Sequence, residues 1–255
     1  MLSDKILYIH QEENPMKKST QKLIENFRCN YKVFAKGSDP GLLEQAYHES
    51  FEAGRREGFC PAIILLDEAA DGWLEYMEDA KAVNGSVRLD SKDNGKELLE
   101  ERFDLFFEDS GYDSLEDFIG EETEGEVIHH FIAFISTRTN KLEEDTLLLE
   151  IPVSNPWDLI SCLPMGGWND CPDSKEMTAI CKYWYEKYQA VPAVFANDIL
   201  EFYAPAKLNG QNSIEAAKEH YAFCPDRIDQ GTETYTLSEL ASGLEESDVW
   251  YFWWD

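Results

Sequence analysis

Positive charge is scarce in this chain of 255 residues, which has 22 Lys and Arg residues against 51 Asp and Glu residues. The formal net charge is therefore −29 at pH 7. Proteins neutralise the phosphates of nucleic acids, and bind anionic lipid surfaces, with Lys and Arg side chains. The composition argues against a nucleic-acid-binding protein and against binding to an anionic membrane surface.

Long apolar runs and closely paired cysteines are also missing. No stretch approaches the roughly 18 apolar residues of a membrane-spanning helix, and the N-terminus lacks the apolar core of a secretory signal. None of the six cysteines is spaced as Cys-x-x-Cys, which excludes a zinc ribbon and a thioredoxin-type motif. We expect a cytoplasmic protein with reduced thiols.

Cofactor-binding signatures are absent as well. The sequence contains no Gly-x-Gly-x-x-Gly motif, no phosphate-binding loop and no Gly-x-Ser-x-Gly nucleophile elbow. The sequence therefore predicts no cofactor.

The chain does contain many aromatic residues, with 7 Trp, 12 Tyr and 14 Phe, unlike a disordered acidic chain. Apolar runs typical of strands alternate with segments of helical spacing, which predicts an α+β fold with a mixed or antiparallel sheet flanked by helices. We place a boundary near Glu150, between an N-terminal α/β part (1–149) and a C-terminal α+β domain (150–255) packed against it. Residues 127–135 and the aromatic C-terminus, 249–255, are predicted to be strands.

Much of the negative charge lies in residues 90–126. Apolar residues recur through this acidic segment at helical spacing, which predicts a structured amphipathic helix and excludes a disordered tail. These apolar residues are Leu98, Leu99, Phe103, Phe106 and Phe107.

Four separated blocks of the C-terminal part carry a family resemblance. The blocks are LPMGGWNDCPD (163–173), KYWYEKYQAVPAV (182–194), HYAFCPDRIDQG (220–231) and WYFWWD (250–255). Together they resemble the bacterial domain-of-unknown-function family 4253, over roughly Glu150 to Asp255. The family has no established activity, so the resemblance implies a fold unit and no particular function.

The third block contains the strongest candidate for chemistry. His220 and Cys224 are four residues apart and would share a helix face, as two metal ligands or a thiol and its base would. Cys171-Pro172-Asp173 repeats the tripeptide Cys224-Pro225-Asp226, so Cys171, His220 and Cys224 are candidate zinc ligands. The alternative is that both cysteines are core residues at helix boundaries. A thiolate at Cys224 is unfavourable near a helix C-terminus surrounded by acids.

Carboxylates form a second set of candidates, because paired acids can bind Mg²⁺ or act as acid and base in hydrolysis. In so acidic a chain, solvated surface charge is the competing interpretation. The set comprises Asp198, Glu201, Asp226, Asp229 and Glu233.

A histidine pair, His129 and His130, lies in the strand predicted at 127–135. Neighbouring strand residues point to opposite faces, so the two cannot bind one ion together. We expect one to be buried and the other exposed.

These features lead to two hypotheses of different classes. The first is an acidic binding module for a basic protein, such as an immunity-type inhibitor of a basic nuclease or toxin, because a large negative field steers basic partners. Its candidate binding residues are Trp168, Asp170, Asp226, Asp229 and Glu233. The alternative is a metal- or carboxylate-dependent hydrolase whose candidate catalytic residues are Asp198, His220, Cys224, Asp226 and Asp229. A third interpretation is that the acidity serves only solubility.

Overall fold

The computed structural model describes residues 8–9, 18–66, 72 and 94–254. Residues 90–93 of the predicted acidic segment and Asp255 lie outside them. The strands are β1 Tyr8–Ile9, β2 Asn30–Phe34, β3 Cys60–Leu65, β4 Thr146–Ile151, β5 Val191–Phe195, β6 Ile199–Tyr203 and β7 Val249–Trp253. The helices are α1 Lys18–Phe27, α2 Pro40–Glu57, α3 Gly95–Asp109, α4 Leu115–Ile119, α5 Leu159–Cys162, α6 Ser174–Tyr188, α7 Gln211–Phe223, α8 Asp226–Asp229 and α9 Leu237–Glu246, with a 3₁₀ turn at Pro156–Asp158.

The strands form one mixed sheet in the order β1-β2-β4-β3-β5-β6-β7. The β1–β2 and β3–β5 pairs are parallel and the other neighbours are antiparallel. The predicted α+β class, with a mixed sheet flanked by helices, is confirmed. The predicted boundary near Glu150 lies inside β4, so strands from both predicted parts belong to the same sheet.

Both faces of this sheet are covered, because alternate residues of the central strands enter two different cores. In β3, Ala62 and Ile64 belong to one core and Ile63 and Leu65 to the other. Helix α2 and residues 128–134 cover the second face, while the remaining long helices after residue 94 cover the first. All six residues of β3 are buried, as its continuous apolar run predicts.

The aromatic C-terminus forms the predicted strand β7, paired antiparallel with β6. Trp250 and Phe252 project into the first core, where the indole of Trp184 lies 5.4 Å and 5.5 Å from their rings. Burial of rings of this size is a major stabilising contribution. No helix among the described residues has the length and apolarity needed to cross a membrane.

Local capping determines where the helices that frame the candidate site begin. The Asp173 side chain accepts hydrogen bonds from the backbone of Lys175 and Glu176, and the Glu176 side chain accepts one from the Asp173 backbone. This is the capping box expected from their spacing, and it starts α6 at Ser174. Helix α3 can approach α6 closely because Gly95 has no side chain, since a Cβ there would lie 2.3 Å from the Ala179 carbonyl oxygen.

The prediction of a strand at residues 127–135 is wrong, because this segment is irregular apart from a single β-bridge between Ile135 and Leu142. Its backbone groups bond elsewhere. The Ile128 carbonyl accepts from the amides of Asp248 and Val249, and the Glu201 carboxylate accepts from the amides of Ile132 and Ala133 at 2.8 Å and 3.3 Å. Side-chain and loop bonding therefore replace a strand ladder.

Glu201 is thus a buried structural group, and its assignment to solvated surface charge is wrong. Its side chain lies in β6 with no exposure to solvent. Burial raises its pKa from 4.5 to about 8, although the two backbone hydrogen bonds favour the charged form. Because the pKa is higher in the folded protein, Glu201 contributes stability below about pH 4.5 that is lost as the pH rises through 8.

We predict that Glu201→Gln removes this pH dependence. The wild type should lose a few kcal/mol of stability relative to the variant when the pH is raised from about 5 to about 8.5, because Glu201 ionises in the wild type and the amide does not. Urea unfolding at the two pH values measures this, with the exposed Glu143→Gln as the matched control. A difference between Glu201→Gln and wild type that does not vary with pH would contradict the assignment.

Candidate functional site

The two Cys-Pro-Asp turns are held together by one arginine. Arg102, in α3, donates a hydrogen bond from Nε to the Ala222 carbonyl at 2.8 Å and another from Nη2 to the Asp170 carbonyl. Ala222 precedes the Cys224 turn and Asp170 precedes the Cys171 turn. The guanidinium therefore connects the acidic helix to both turns of the C-terminal part.

The first of these turns depends on a glycine for its shape. Gly166 has a φ of +86°, and a Cβ there would lie 2.0 Å from the Pro172 carbonyl oxygen. The Gly167 amide then donates to the carbonyls of Cys171 and Pro172. The loop closes tightly on itself and places Cys171 beside Gly166 in the core.

Both cysteines are protonated core residues at neutral pH. Burial raises the pKa of Cys224 to about 12 and raises that of Cys171 well above its ordinary value. Cys224 is near enough to Cys171 to raise the pKa of the Cys171 thiol further, and the Cys224 thiol donates to the Trp253 carbonyl at 3.0 Å. A protonated thiol that is already bonded is a poor nucleophile.

His220 lies in an aromatic cluster with no solvent exposure. Its ring centroid is 4.5 Å from that of Trp250 and 4.7 Å from that of Phe252. Burial, and then the charge of Arg227, lower its pKa well below the ordinary value, so the imidazole is neutral. Both ring nitrogens lack a hydrogen-bond partner among the described residues.

The candidate metal ligands do not form a coordination group in the described structure. Across residues 18–66 and 94–254, no three His, Cys, Asp or Glu side chains are arranged to hold a metal ion. Asp198, a further catalytic candidate, lies in the turn between β5 and β6, where its carbonyl accepts from the Trp254 amide.

Three of the predicted binding acids do come together. Burial raises the pKa of Asp229, and the nearby charges of Asp226 and Asp170 raise it further. Burial, and then the charges of Asp229, Asp109 and Asp170, raise the pKa of Tyr221 in α7. Asp170 and Asp229, from two family blocks, therefore lie near Asp109 at the end of α3.

The other two predicted binding residues differ in exposure. Trp168 is half-buried and packs against the first core, which favours a structural role for most of the indole. Glu233 is exposed, and its backbone amide donates to the Glu239 carboxylate at 2.9 Å.

A cleft of about 560 Å³, away from the two Cys-Pro-Asp turns, is lined by three histidines that the sequence did not predict to lie together: His48, His129 and His130. His129 Nδ1 lies 2.7 Å from Asp248 Oδ2, and His130 Nδ1 lies 2.9 Å from Glu44 Oε2. Both members of the predicted pair are exposed, so the expectation that one is buried is wrong. Opposite strand faces do not apply to an irregular segment.

The imidazoles of this cleft keep their carboxylate partners ionised. Although burial acts in the opposite direction, hydrogen bonding to His48 and the charge of His130 hold the pKa of Glu44 below its ordinary value. Hydrogen bonds from Lys207 and His129 likewise lower the pKa of Asp248 against the effect of burial. The contacts tie the loop at 129–130 to α2 and to the start of β7.

Comparison with known proteins gives a match for the C-terminal part of the chain. Residues 147–255 match the family described as a domain of unknown function (DUF4253), which confirms the resemblance seen in the sequence. No curated protein and no solved structure was found to match the chain. The matched region includes both Cys-Pro-Asp turns, while Arg102 and the acidic helix precede it.

We predict that Arg102→Met lowers the free energy of unfolding by about 1–2 kcal/mol, because the Ala222 carbonyl and the exposed Asp170 carbonyl lose a charged donor. The same change should increase the rate at which Cys171 and Cys224 react with a thiol reagent in the native protein. Urea unfolding and thiol labelling measure the two effects.

The matched control is Lys96→Met, six residues earlier in α3. The Lys96 side chain is exposed, and the substitution removes only its ion pair with Glu100, in which Nζ lies 3.2 Å from Oε1. Its effect should stay within about 0.5 kcal/mol. Equal effects of the two substitutions would show that Arg102 does not hold the turns.

Proposed function

We propose that the protein is a cytoplasmic binding module that presents an acidic surface to a basic protein, as an immunity-type inhibitor does. The observation that carries the proposal is a helix face, on α3, in which exposed carboxylates surround an exposed leucine. We define this acidic face by Glu101, Asp104, Leu105 and Glu108, with Asp170, Asp226 and Asp229 next to the end of the helix.

Among the described residues, no Lys or Arg side chain forms an ion pair with Glu101, Asp104 or Glu108. Glu97, Glu100, Glu101, Asp104 and Glu108 are all exposed along α3. The helix has two bases of its own: Lys96 pairs with Glu100, and Arg102 points inward to the carbonyls of the two turns. The face therefore retains a strong negative field, which favours association with positively charged partners.

Exposed apolar side chains occur on the acidic face and in segments that follow α3. Leu105 is 57% exposed between the acids of α3, and Tyr235 and Leu115 are 55% and 37% exposed. Tyr112 links these parts, since it follows α3 and its hydroxyl donates to the Tyr235 carbonyl at 2.7 Å. Exposed apolar residues with a polar rim are typical of protein-binding sites, whereas acidity that serves only solubility needs none.

The hydrolase alternative has less support from the same side chains. Its proposed thiol is protonated and bonded to a carbonyl, and its proposed histidine is enclosed by aromatic rings. The acids Asp226 and Asp229 fit the binding hypothesis without further assumptions.

The test removes charge from the acidic face without changing its shape. The variant Glu101→Gln, Asp104→Asn, Glu108→Gln should lose at least tenfold in affinity for a basic protein captured from cell extract at low salt and then purified. A second variant, Leu105→Ser, should weaken the same complex while leaving its salt dependence unchanged. Calorimetry at several salt concentrations measures both effects, and the wild-type complex should dissociate by about 0.5 M salt.

The matched control removes the same charge elsewhere, through Glu49→Gln, Glu52→Gln and Glu57→Gln on the exposed face of α2. This control should bind the partner as the wild type does. The proposal fails if no basic protein is captured, or if the two triple variants bind equally.

A further inference from the structure

A separate small cleft lies between α8 and the edge strand β7. Glu126 and Ile132, from the irregular segment before β4, also line it. Its volume is about 200 Å³. The lining residues used below are Glu126, Ile132, Asp226, Arg227, Tyr251 and Trp253.

The cleft contains an arginine that lacks a partner. The Nε atom of Arg227 is buried, and no described residue accepts a hydrogen bond from it. Burial lowers the pKa of Arg227. A guanidinium nevertheless stays charged in proteins. Arg227 as a whole is half-buried and lines the cleft, so a group bound there can accept hydrogen bonds from the guanidinium. Planar carboxylates match the two-donor geometry of an arginine.

Negative groups lie on the same cleft and limit which acceptor it can take. The charge of Glu126 is near enough to raise the pKa of Arg227 against the effect of burial. Asp226 accepts a hydrogen bond from the Gln230 side chain at 2.7 Å. A simple anion would be repelled by these carboxylates and by the net charge of −29. A zwitterion has no net charge, and its ammonium group would find acceptors in the same carboxylates.

The remaining wall of the cleft is apolar. Tyr251 and Trp253 are two residues apart in β7, so their rings point to the same face of the sheet. Both are half-buried, and Ile132 beside them is 41% exposed. This wall can contact an aliphatic side chain.

From this arrangement we propose that the cleft binds a free amino acid with an apolar side chain. Arg227 binds the α-carboxylate, Glu126 and Asp226 bind the ammonium group, and the side chain lies against Tyr251, Trp253 and Ile132. The site shares Asp226 with the acidic face, but its other lining residues lie outside that face, and its occupancy by a small molecule does not require a protein partner.

The test titrates the full-length protein with L-leucine and with its two halves, 4-methylpentanoate, which lacks the amine, and 3-methylbutylamine, which lacks the carboxylate. Backbone amide NMR should show saturable shifts near Arg227 and Tyr251 with leucine. Each half should bind at least tenfold more weakly. The absence of saturable leucine binding up to about 10 mM would overturn the proposal, since millimolar binding is already weak.

Variants separate the two polar contacts. Arg227→Gln should lose leucine binding, with the exposed Arg138→Gln as its matched control. Glu126→Gln should weaken leucine binding without weakening that of 4-methylpentanoate, with the exposed Glu124→Gln as control.

Because Arg227→Gln could also disturb the fold, Arg227→Lys provides a second measurement. It keeps the charge but loses the two-donor geometry, and should bind leucine more weakly than the wild type. Binding of 4-methylpentanoate as tight as that of leucine, or unchanged leucine binding in both Arg227 variants, would contradict the assigned contacts.

Discussion

The Arg102 guanidinium is the contact on which the arrangement of the candidate binding surface depends. It reaches from the acidic helix α3 to the carbonyls of Ala222, at the end of α7, and of Asp170, just before the Cys171 turn. A half-buried cation that donates to backbone carbonyls fixes distance and direction more closely than apolar packing alone. The side chain therefore joins three chain segments that are far apart in the sequence.

This geometry changes how the net charge of −29 is interpreted. Acids scattered over a surface favour solubility, whereas we propose that the exposed acids around Leu105 form a place where a partner binds. Arg102, one of the two bases of α3, is half-buried and is directed at the two carbonyls. The same contact thus stabilises the fold and strengthens the negative field on the outside of the helix.

Much of the fold was predictable, because hydrophobic periodicity and capping are local properties. The continuous apolar run of β3, the Asp173 capping box and the aromatic strand β7 were all recognisable from the chain. The segment at 127–135 was not, because its amides bond to the carboxylate of Glu201, which lies about seventy residues later. Its apolar composition is that of a strand, and only the tertiary structure shows that a side chain replaces the ladder.

The candidate site was predictable in its residue types and less so in its contacts. The acids of the turns were identified, whereas Arg102 was one base among many acids, and His48 is eighty residues from the histidines that share its cleft. Pairing of distant segments has no local signal in a single sequence. Arg227 belonged to a recognised block, but its missing partner is a property of the folded chain alone.

The central claim is that acids from separate segments form one binding surface. Hydrogen–deuterium exchange of the protein with and without a captured basic partner tests it most directly. The account predicts slower exchange on binding in α3 and in residues 226–233 together, with no change in α2. Protection confined to α2, or to only one of the two acidic segments, would contradict it.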